Sequence, residues 1–535
     1  MISNRTFYFL LLVLALVHLL GFALDVMEVD SAQLAEISRE MLLSGNPFQL
    51  TFLNEPYLDK PHLLFWTGAL TMNLFGVSSM AYKLPSLLFA ALCIFSVYRF
   101  SKLFYEDTTA KLAAMIVASH QAMFIATNDV RADTILMGMV MFSIWQLGAL
   151  YQSGRFRHLF LASAGIAFAM MAKGPIGFMV PLFAFMPALF FTKKWKQLIS
   201  VKWIWGILIG AIFLLPICFA HYHQFGVAGL RFYFWTQSFG RITGESDWRN
   251  NPDMFFVVHT TLWAFLPYSL FLVYGIGKTA ANIFRRQPIP ELFSFFGLVV
   301  TLFALSRSNY QLPHYFYVVY PLGAVVAANA FTQLLNQNGK WWKYIQHLLI
   351  ALGLLLPLLI VFYVFPASLM VKSAFVATTL ALAIFFVARK NIVVSTVLTF
   401  AFLNSCLSTV FYPQLLKYQS NTLIGKYLKQ QHADERNVTV FDSWRVYALS
   451  FNAEIVPYCS NNYDELKERI GNKKHFVVCK PEILPQLDKD YKTKLCMETD
   501  DFPISQLTLG FLNPNTRASA VRKVCVVEVI SKSGE

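Results

Sequence analysis

The acidic residues of this chain are bunched in two places. Asp25, Glu28, Asp30, Glu36, Glu40, Glu55 and Asp59 share one polar stretch, and Asp129 and Asp133 share a second. Basic residues accompany them, with Lys60 directly after Asp59, Arg131 between Asp129 and Asp133, and Lys173 further on. A carboxylate beside a hydroxyl can act as general base, and a lysine or arginine can offset charge that develops on a phosphate. Carboxylates can equally hold a divalent ion, or do no more than pair with the neighbouring cations.

These residues must be positioned by an unusually apolar chain. Of its 535 residues 56% are hydrophobic, 16% aromatic and only 14% charged, against roughly 25% charged in an average soluble domain. That composition excludes a soluble enzyme. A hydrocarbon layer of about 30 Å needs about 20 apolar residues in helical form. About thirteen such runs follow one another, near 6–24, 80–104, 111–128, 132–151, 156–172, 174–192, 202–220, 255–276, 291–306, 313–335, 345–365, 369–388 and 392–412. The first run exceeds the roughly 7 to 15 apolar residues of a cleaved signal peptide and is read as a span.

Lysines and arginines in short loops stay on the cytoplasmic side. With the N-terminus inside, the inner loops carry Arg99, Lys102 and Lys111; Arg155 and Arg157; Lys193, Lys194, Lys196 and Lys202; Lys278, Arg285 and Arg286; Lys340 and Lys343; and Arg389 and Lys390. The net charge of +14 is thereby a topology signal and not a surface for nucleic acid. An odd number of spans leaves residues 413–535 outside the cytoplasm. There the pattern changes: 437–441, 475–479 and 524–530 read as strands and 462–470 as a helix, so a small α/β domain is expected. Cys459, Cys479, Cys496 and Cys525 lie in it and can pair in an oxidising compartment, in an order the sequence leaves open.

Both acidic stretches fall in outer loops. No carboxylate sits at the middle of the third to seventh spans or of the last four, where a coupled transporter often carries one. The first loop has its own structure. Leu34, Ile37, Met41 and Leu42 recur at helical spacing, and a second apolar helix follows Pro61, so interfacial helices are expected near 31–44 and 61–76. Two such helices would frame a cavity at headgroup level. Another outer stretch, 221–253, carries Arg231, Arg241, Arg249, Glu245 and Asp247 among aromatics, and is either a fold-over loop or a solvated one.

Several motifs resemble a known family. The segment from Asp30 to Met41 resembles the first-loop motif of the ArnT-like lipid A aminoarabinose transferases and related membrane glycosyltransferases. Tyr57-Leu58-Asp59-Lys60-Pro61 is similar to their tyrosine-x-acid-lysine-proline motif, with Asp where Glu is frequent. Ala172-Lys173-Gly174-Pro175 matches their alanine-lysine-glycine-proline turn, and Leu312-Pro313-His314-Tyr315 resembles their late leucine-proline-x-tyrosine motif. Gln311 stands where many relatives carry lysine.

The resemblance implies a polytopic α-helical membrane protein with the GT-C fold, with residues 1–412 as the transmembrane catalytic part and 413–535 as a soluble periplasmic domain. It implies a bacterial inner-membrane enzyme that moves a monosaccharide from undecaprenyl phosphate, or another polyprenyl phosphate, to lipid A or another envelope glycan, without a nucleotide cofactor. In that reading Asp30 is the base or positions the acceptor, and Asp133 is the second-loop acid. Lys60, Lys173, Arg307, Gln311 and Tyr315 serve the donor phosphate, and Asp59 orients Lys60 or holds a divalent metal ion. Each residue has a plainer reading: Asp30 as a helix N-cap, Lys60 paired with Asp59, Asp133 paired with Arg131, and Lys173 as an interfacial anchor. The alternative functions are a protein O-mannosyltransferase-like enzyme acting on Ser or Thr and, in a different class, a lipid or sugar transporter.

Overall fold

A computed structural model describes all residues except Met1, Gly244, Ser246, Asp247, Trp248, Asn251, Asn338, Gly339, Trp444, Asn472, Lys473 and 532–535, and leaves out the side chains of Arg241, Ile242 and Ser531. Helix α1 (Asn4–Phe22) opens the chain, capped by the Ser3 hydroxyl accepting from the Thr6 amide. The first loop follows with α2 (Asp30–Ser44), the hairpin β1 (Thr51–Phe52) and β2 (Glu55–Pro56), and α3 (Leu63–Phe75). Next come α4 (Ser79–Phe104), α5 (Asp107–Ser119), α6 (Gln121–Asn128), α7 (Asp133–Ser153), α8 (Phe156–Lys173), α9 (Ile176–Phe191) and α10 (Lys202–Arg231). The short α11 (Gly240–Thr243) precedes α12 (Phe256–Ala264), α13 (Ser269–Phe284), α14 (Phe293–Ser306), α15 (Tyr320–Leu335), α16 (Trp341–Leu359), α17 (Leu369–Arg389) and α18 (Ile392–Cys406).

Among the described residues eight helices are long and apolar enough to cross a membrane, and nine if α5 and α6, bent by 47°, make one span. The chain is a multi-pass membrane protein. The other four runs named from the sequence also fall on helices, but on less apolar or shorter ones: α8, α9 with Pro181 and Pro187 inside, α12 with α13, and α14. The run over 255–276 is broken because Pro267 has no N–H to donate, and the chain turns between α12 and α13. Close helix contacts need small residues. A Cβ on Gly138 would stand 2.6 Å from the Phe89 carbonyl oxygen, so α7 can approach α4 only with glycine there.

After α19 (Tyr412–Leu415) and α20 (Ser420–Gln430), the tail forms a five-stranded mixed sheet in the order β4-β3-β5-β7-β6. Its strands are β3 (Val438–Phe441), β4 (Tyr458–Ser460), β5 (His475–Cys479), β6 (Tyr491–Asp501) and β7 (Arg522–Ser531), with α21 (Tyr447–Ala453), α22 (Tyr463–Ile470) and α23 (Leu484–Asp490) between them. β3 lies parallel to both β4 and β5, and β7 is antiparallel to both β5 and β6. Three strands and α22 fall where the sequence pattern puts them. β4 and β6 do not announce themselves, since β6 is an edge strand of polar and exposed residues.

One expectation about the first loop changes. The sequence places α2 as an amphipathic helix at the interface, and in the structure every residue from Ser31 to Met41 except Gln33 is buried. The tail folds over it. Arg39 grips Glu36 through two bonds of 2.6 and 2.8 Å and donates to the Glu454 carbonyl of the tail at 3.0 Å. Glu40 accepts from the Thr51 hydroxyl and the Leu53 amide, each at 2.6 Å. Beside α2, Lys426 pairs with Asp25 at 2.7 Å, and Gln419 holds the Glu28 amide and the Val26 carbonyl, both at 2.9 Å. The polar face of α2 is therefore a seam between the first loop and the tail.

Candidate active site

Local sequence explains how each functional side chain is presented. Asp30 is the first residue of α2, where a negative charge faces the positive end of the helix. The hairpin β1–β2 leads into Tyr57 to Pro61, of which Asp59 and Lys60 line the same cavity as Asp30, Gln33 and Leu34 of α2. Arg131 lies in the short link between α6 and α7, and Asp133 begins α7. Lys173 is the last residue of α8. The chain turns there through Gly174 at φ 75°, which favours glycine, and Pro175 leads into α9. His314 and Tyr315 sit on a short seven-residue helix, Pro313–Val319, that feeds α15.

These elements meet around two adjoining cavities. The first, of about 140 Å³, is polar, and Asp30, Asp59, Lys60, Arg131, Asp133, Lys173, His314 and Tyr315 are among the residues lining it. The second, of about 220 Å³, is apolar and is walled by Leu136, Ile176, Met179, Phe183, Phe239 and Leu305. Lys60, Lys173 and Tyr315 line both. They stand where the greasy chamber opens into the charged one.

Arg131 is the hub of the polar chamber. One terminal nitrogen is 2.8 Å from Asp30 Oδ2 and 2.9 Å from His314 Nδ1, and the other is 2.7 Å from Asp129 Oδ2. Burial pushes the Asp129 carboxyl up, and the Arg131 charge works against that push. Burial also works against the Arg131 charge, but Asp129, Asp30 and Asp133 outweigh it and hold the guanidinium more firmly protonated. Asp133 belongs to a second pair, with Lys173 Nζ 2.6 Å from its Oδ1 and 4.8 Å from the Tyr315 ring centroid. In a third, Lys60 Nζ is 2.6 Å from Asp59 Oδ2, while Gln237 donates to Asp59 Oδ1 at 3.2 Å.

Asp30, Asp59, Lys60, Asp133, Lys173 and Tyr315 are thus brought together. The plainer readings fare unevenly. Asp30 is not the N-cap of α2, since Val29 holds that position and no side chain caps it. Asp133 pairs with Lys173 and not with Arg131. Lys60 does pair with its neighbour, as the plain reading has it, but it also reaches both cavities.

Two expected donor ligands stand elsewhere. Arg307 is exposed at the end of α14 and lines neither cavity. Gln311 is buried, and its amide donates to the Ser306 and Ser308 carbonyls at 2.9 and 3.1 Å. It closes the 306–311 loop. In the 221–253 stretch Arg231 is 3.9 Å from Glu245, while Asp247 and the Arg241 side chain lie outside the described residues. The residue that sequence reasoning undervalued is Arg131, and the available signal was the alternation Asp129-x-Arg131-x-Asp133.

A divalent ion does not fit this donor set. Among the described residues no group of three or more His, Cys, Asp or Glu side chains can hold one, and Asp59, the expected ligand, has its oxygens turned to Lys60 and Gln237. The carboxylates here are matched to lysine and arginine.

Comparison with known proteins agrees with this architecture. A family model described as dolichyl-phosphate-mannose-protein mannosyltransferase matches residues 59–220. The undecaprenyl phosphate-alpha-4-amino-4-deoxy-L-arabinose arabinosyl transferase of Pseudomonas paraeruginosa is 25% identical over 314 residues, which are 58% of this chain and 56% of that protein. Its namesake in Shewanella sediminis is 27% identical over 260 residues, 46% of this chain and 44% of its own. The chain spans about half the length of the curated relatives it matches. Among solved structures, ArnT from Cupriavidus metallidurans bound to undecaprenyl phosphate matches with a TM-score of 0.75 at 17% identity, over 98% of each chain. The Archaeoglobus fulgidus oligosaccharyltransferase matches with a TM-score of 0.51 at 13% identity, over 91% of this chain and 73% of that one. The fold is the expected GT-C fold, a polytopic helical bundle with a small mixed sheet at its C-terminal end.

Proposed function

We propose that this chain is an ArnT-like glycosyltransferase of the bacterial inner membrane, moving a monosaccharide from undecaprenyl phosphate to lipid A or another envelope acceptor. The observation that carries the reading is the position of Lys60, Lys173 and Tyr315 at the mouth between the apolar and polar cavities. A lipid-linked sugar phosphate has that same order of parts. Its isoprenoid chain lies against Ile176, Met179, Phe183 and Phe239, its phosphate rests at the two lysines, and its sugar enters the carboxylate-lined chamber.

In the transfer step the bond from the sugar's anomeric carbon to the phosphate oxygen breaks, and the acceptor oxygen forms the new bond. The leaving phosphate gains charge that Lys60 and Lys173, both mostly buried, offset at short range. Asp30, on the side of the chamber away from the lysine mouth in this reading, orients the acceptor and takes its proton when the acceptor is a hydroxyl. When the acceptor is a phosphate no base is needed, and Asp30 with Arg131 positions the sugar. Asp133 keeps Lys173 aimed at the mouth. No step passes through a metal or a nucleotide. By analogy of fold the displacement inverts the anomeric centre.

The reading includes a topology: residues 1–412 as the membrane part with the N-terminus cytoplasmic, and 413–535 as a periplasmic domain. The basic residues of the alternate loops support it. A second acceptor class, Ser or Thr of a protein, is favoured by the name of the matching family model.

Lipid A and cell-envelope glycans are to be compared by mass spectrometry in cells with the protein, without it, and with Lys60→Met or Asp30→Asn. A sugar mass present only with the intact protein is expected, and an unaltered profile on deletion would overturn the enzyme reading. Purified protein offered lipid A or a Ser/Thr peptide separates the two acceptors.

A further inference from the structure

The largest of the described cavities, of about 930 Å³, lies at the other end of the bundle. Two helix paths measure the separation. Thr108 lines it at the start of α5, while Asp129, some 20 residues on, pairs with Arg131 in the polar chamber. From His314 the short helix Pro313–Val319 and then α15 run on to Leu335, some 20 residues later, which again lines the far cavity. At 1.5 Å per helical residue each path covers about 30 Å, one hydrocarbon thickness.

The lining has an uncompensated charge. Lys343, Arg389 and Lys390 face Glu106, three cations to one carboxylate. None of the three cations forms an ion pair among the described residues. Lys343 and Arg389 are placed 5.5 and 5.9 Å from the ring centroids of Trp342 and Phe385. The outer wall is α17, which contributes Phe386 and has no buried residue, and Ile350 lines the inner side. The cavity is thus bounded on one side by a helix that faces lipid, with basic groups at its headgroup end.

We infer that this cavity is a binding site for an anionic glycerophospholipid of the cytoplasmic leaflet. The lipid phosphate sits among Lys343, Arg389 and Lys390, and the acyl chains run along α17. The charge favours an anionic headgroup over a zwitterionic one, and the apolar wall favours a lipid over a free anion. The site is separate from the transfer reaction, and only its assignment to the cytoplasmic leaflet rests on the topology proposed above.

The test is native mass spectrometry of the full-length protein in detergent, titrated with phosphatidylglycerol, phosphatidylcholine or inorganic phosphate. Phosphatidylglycerol is expected to bind, with an affinity reduced roughly tenfold or more by K343Q/R389Q/K390Q. K278Q/R285Q/R286Q removes the same charge elsewhere on that face, and K343R/R389K/K390R keeps the charge in place; both should bind within about twofold of the parent. Equal binding of phosphatidylcholine, saturation by inorganic phosphate alone, or equal loss in the remote triple variant would overturn the inference. If the neutral triple does not fold, K390Q alone, at the exposed end of α17, is measured against R286Q as the control on the same face, and an unchanged affinity in K390Q counts against the site.

Discussion

Replacing Arg131 with glutamine removes the centre of the polar chamber, and the consequences separate. Its closest partner is Asp129, 2.7 Å away, and both side chains are about one-fifth exposed. At an effective dielectric constant of about 20, two unit charges near 3 Å apart attract by about 5 to 6 kcal/mol. The desolvation of both offsets much of that, and removing one partner of a buried pair typically costs about 3 to 5 kcal/mol. Asp30, with 44% of its side chain exposed, adds less than about 1 kcal/mol after screening. Most of the loss therefore comes from a stranded Asp129. Its carboxyl is already pushed up by burial, and without Arg131 it rises further. A carboxyl raised in the folded state loses stability as pH rises above its unfolded value, so the defect of R131Q should be larger at pH 8 than at pH 5. D129N/R131Q removes the stranded Asp129 carboxylate and should recover most of the thermal stability. It should not recover transfer, because Asp30 and His314 have lost their anchor, and misplacement on the scale of 1 Å costs about a hundredfold. Thermal unfolding of detergent-purified variants at both pH values, together with transfer from an undecaprenyl-phosphate-linked sugar, checks each part. A double variant no more stable than R131Q, or R131Q with near-normal transfer, would refute the reasoning.

Three further outcomes are expected. Glu28 is buried between the first loop and the tail, where it accepts from the Asn421 amide at 2.8 Å, and burial raises its carboxyl to about 7. The folded protein then binds more protons than the unfolded one from about pH 4.5 to about 7, so stability falls across that window; Glu28→Gln should flatten the slope of melting temperature against pH, and an unchanged slope would remove Glu28 as its cause. K173M strands Asp133 and weakens the phosphate site at once, whereas D133N/K173M should regain stability but not donor binding, a split visible in KM for the lipid donor against melting temperature. Gln311→Ala should cost about 1 to 3 kcal/mol by leaving the Ser306 and Ser308 carbonyls unpaired while changing donor KM little; a large rise in KM with normal stability would return Gln311 to the phosphate site.

Much of the architecture was legible because the bilayer imposes a local rule. A run of apolar residues of sufficient length has to be helical, so α1, α4, α7, α15, α16, α17 and α18 could be placed from hydropathy alone. The same logic located α2 and α3 but misjudged the surroundings of α2. An amphipathic pattern reports that two faces differ, not that water covers the polar one. Here that face is covered by α21 and its neighbours, and Glu36, Arg39 and Glu40 satisfy one another and the backbone. β3 and β5 show as apolar runs because both are buried, while β6, paired on one side only, carries a mixed pattern.

What the sequence by itself determined is the class of protein, the run of apolar helices and the residue types available between them. Those properties depend on neighbours in the chain, on the spacing of apolar groups and on motif residues such as Tyr57 to Pro61. What only the tertiary structure decided is which charge meets which. Arg131 joins Asp30 and His314 from sites about 100 and 183 residues away along the chain, and Lys173 crosses 40 residues to Asp133. No local period encodes such pairings, because a charged side chain takes whichever partner the packed helices bring within about 3 Å.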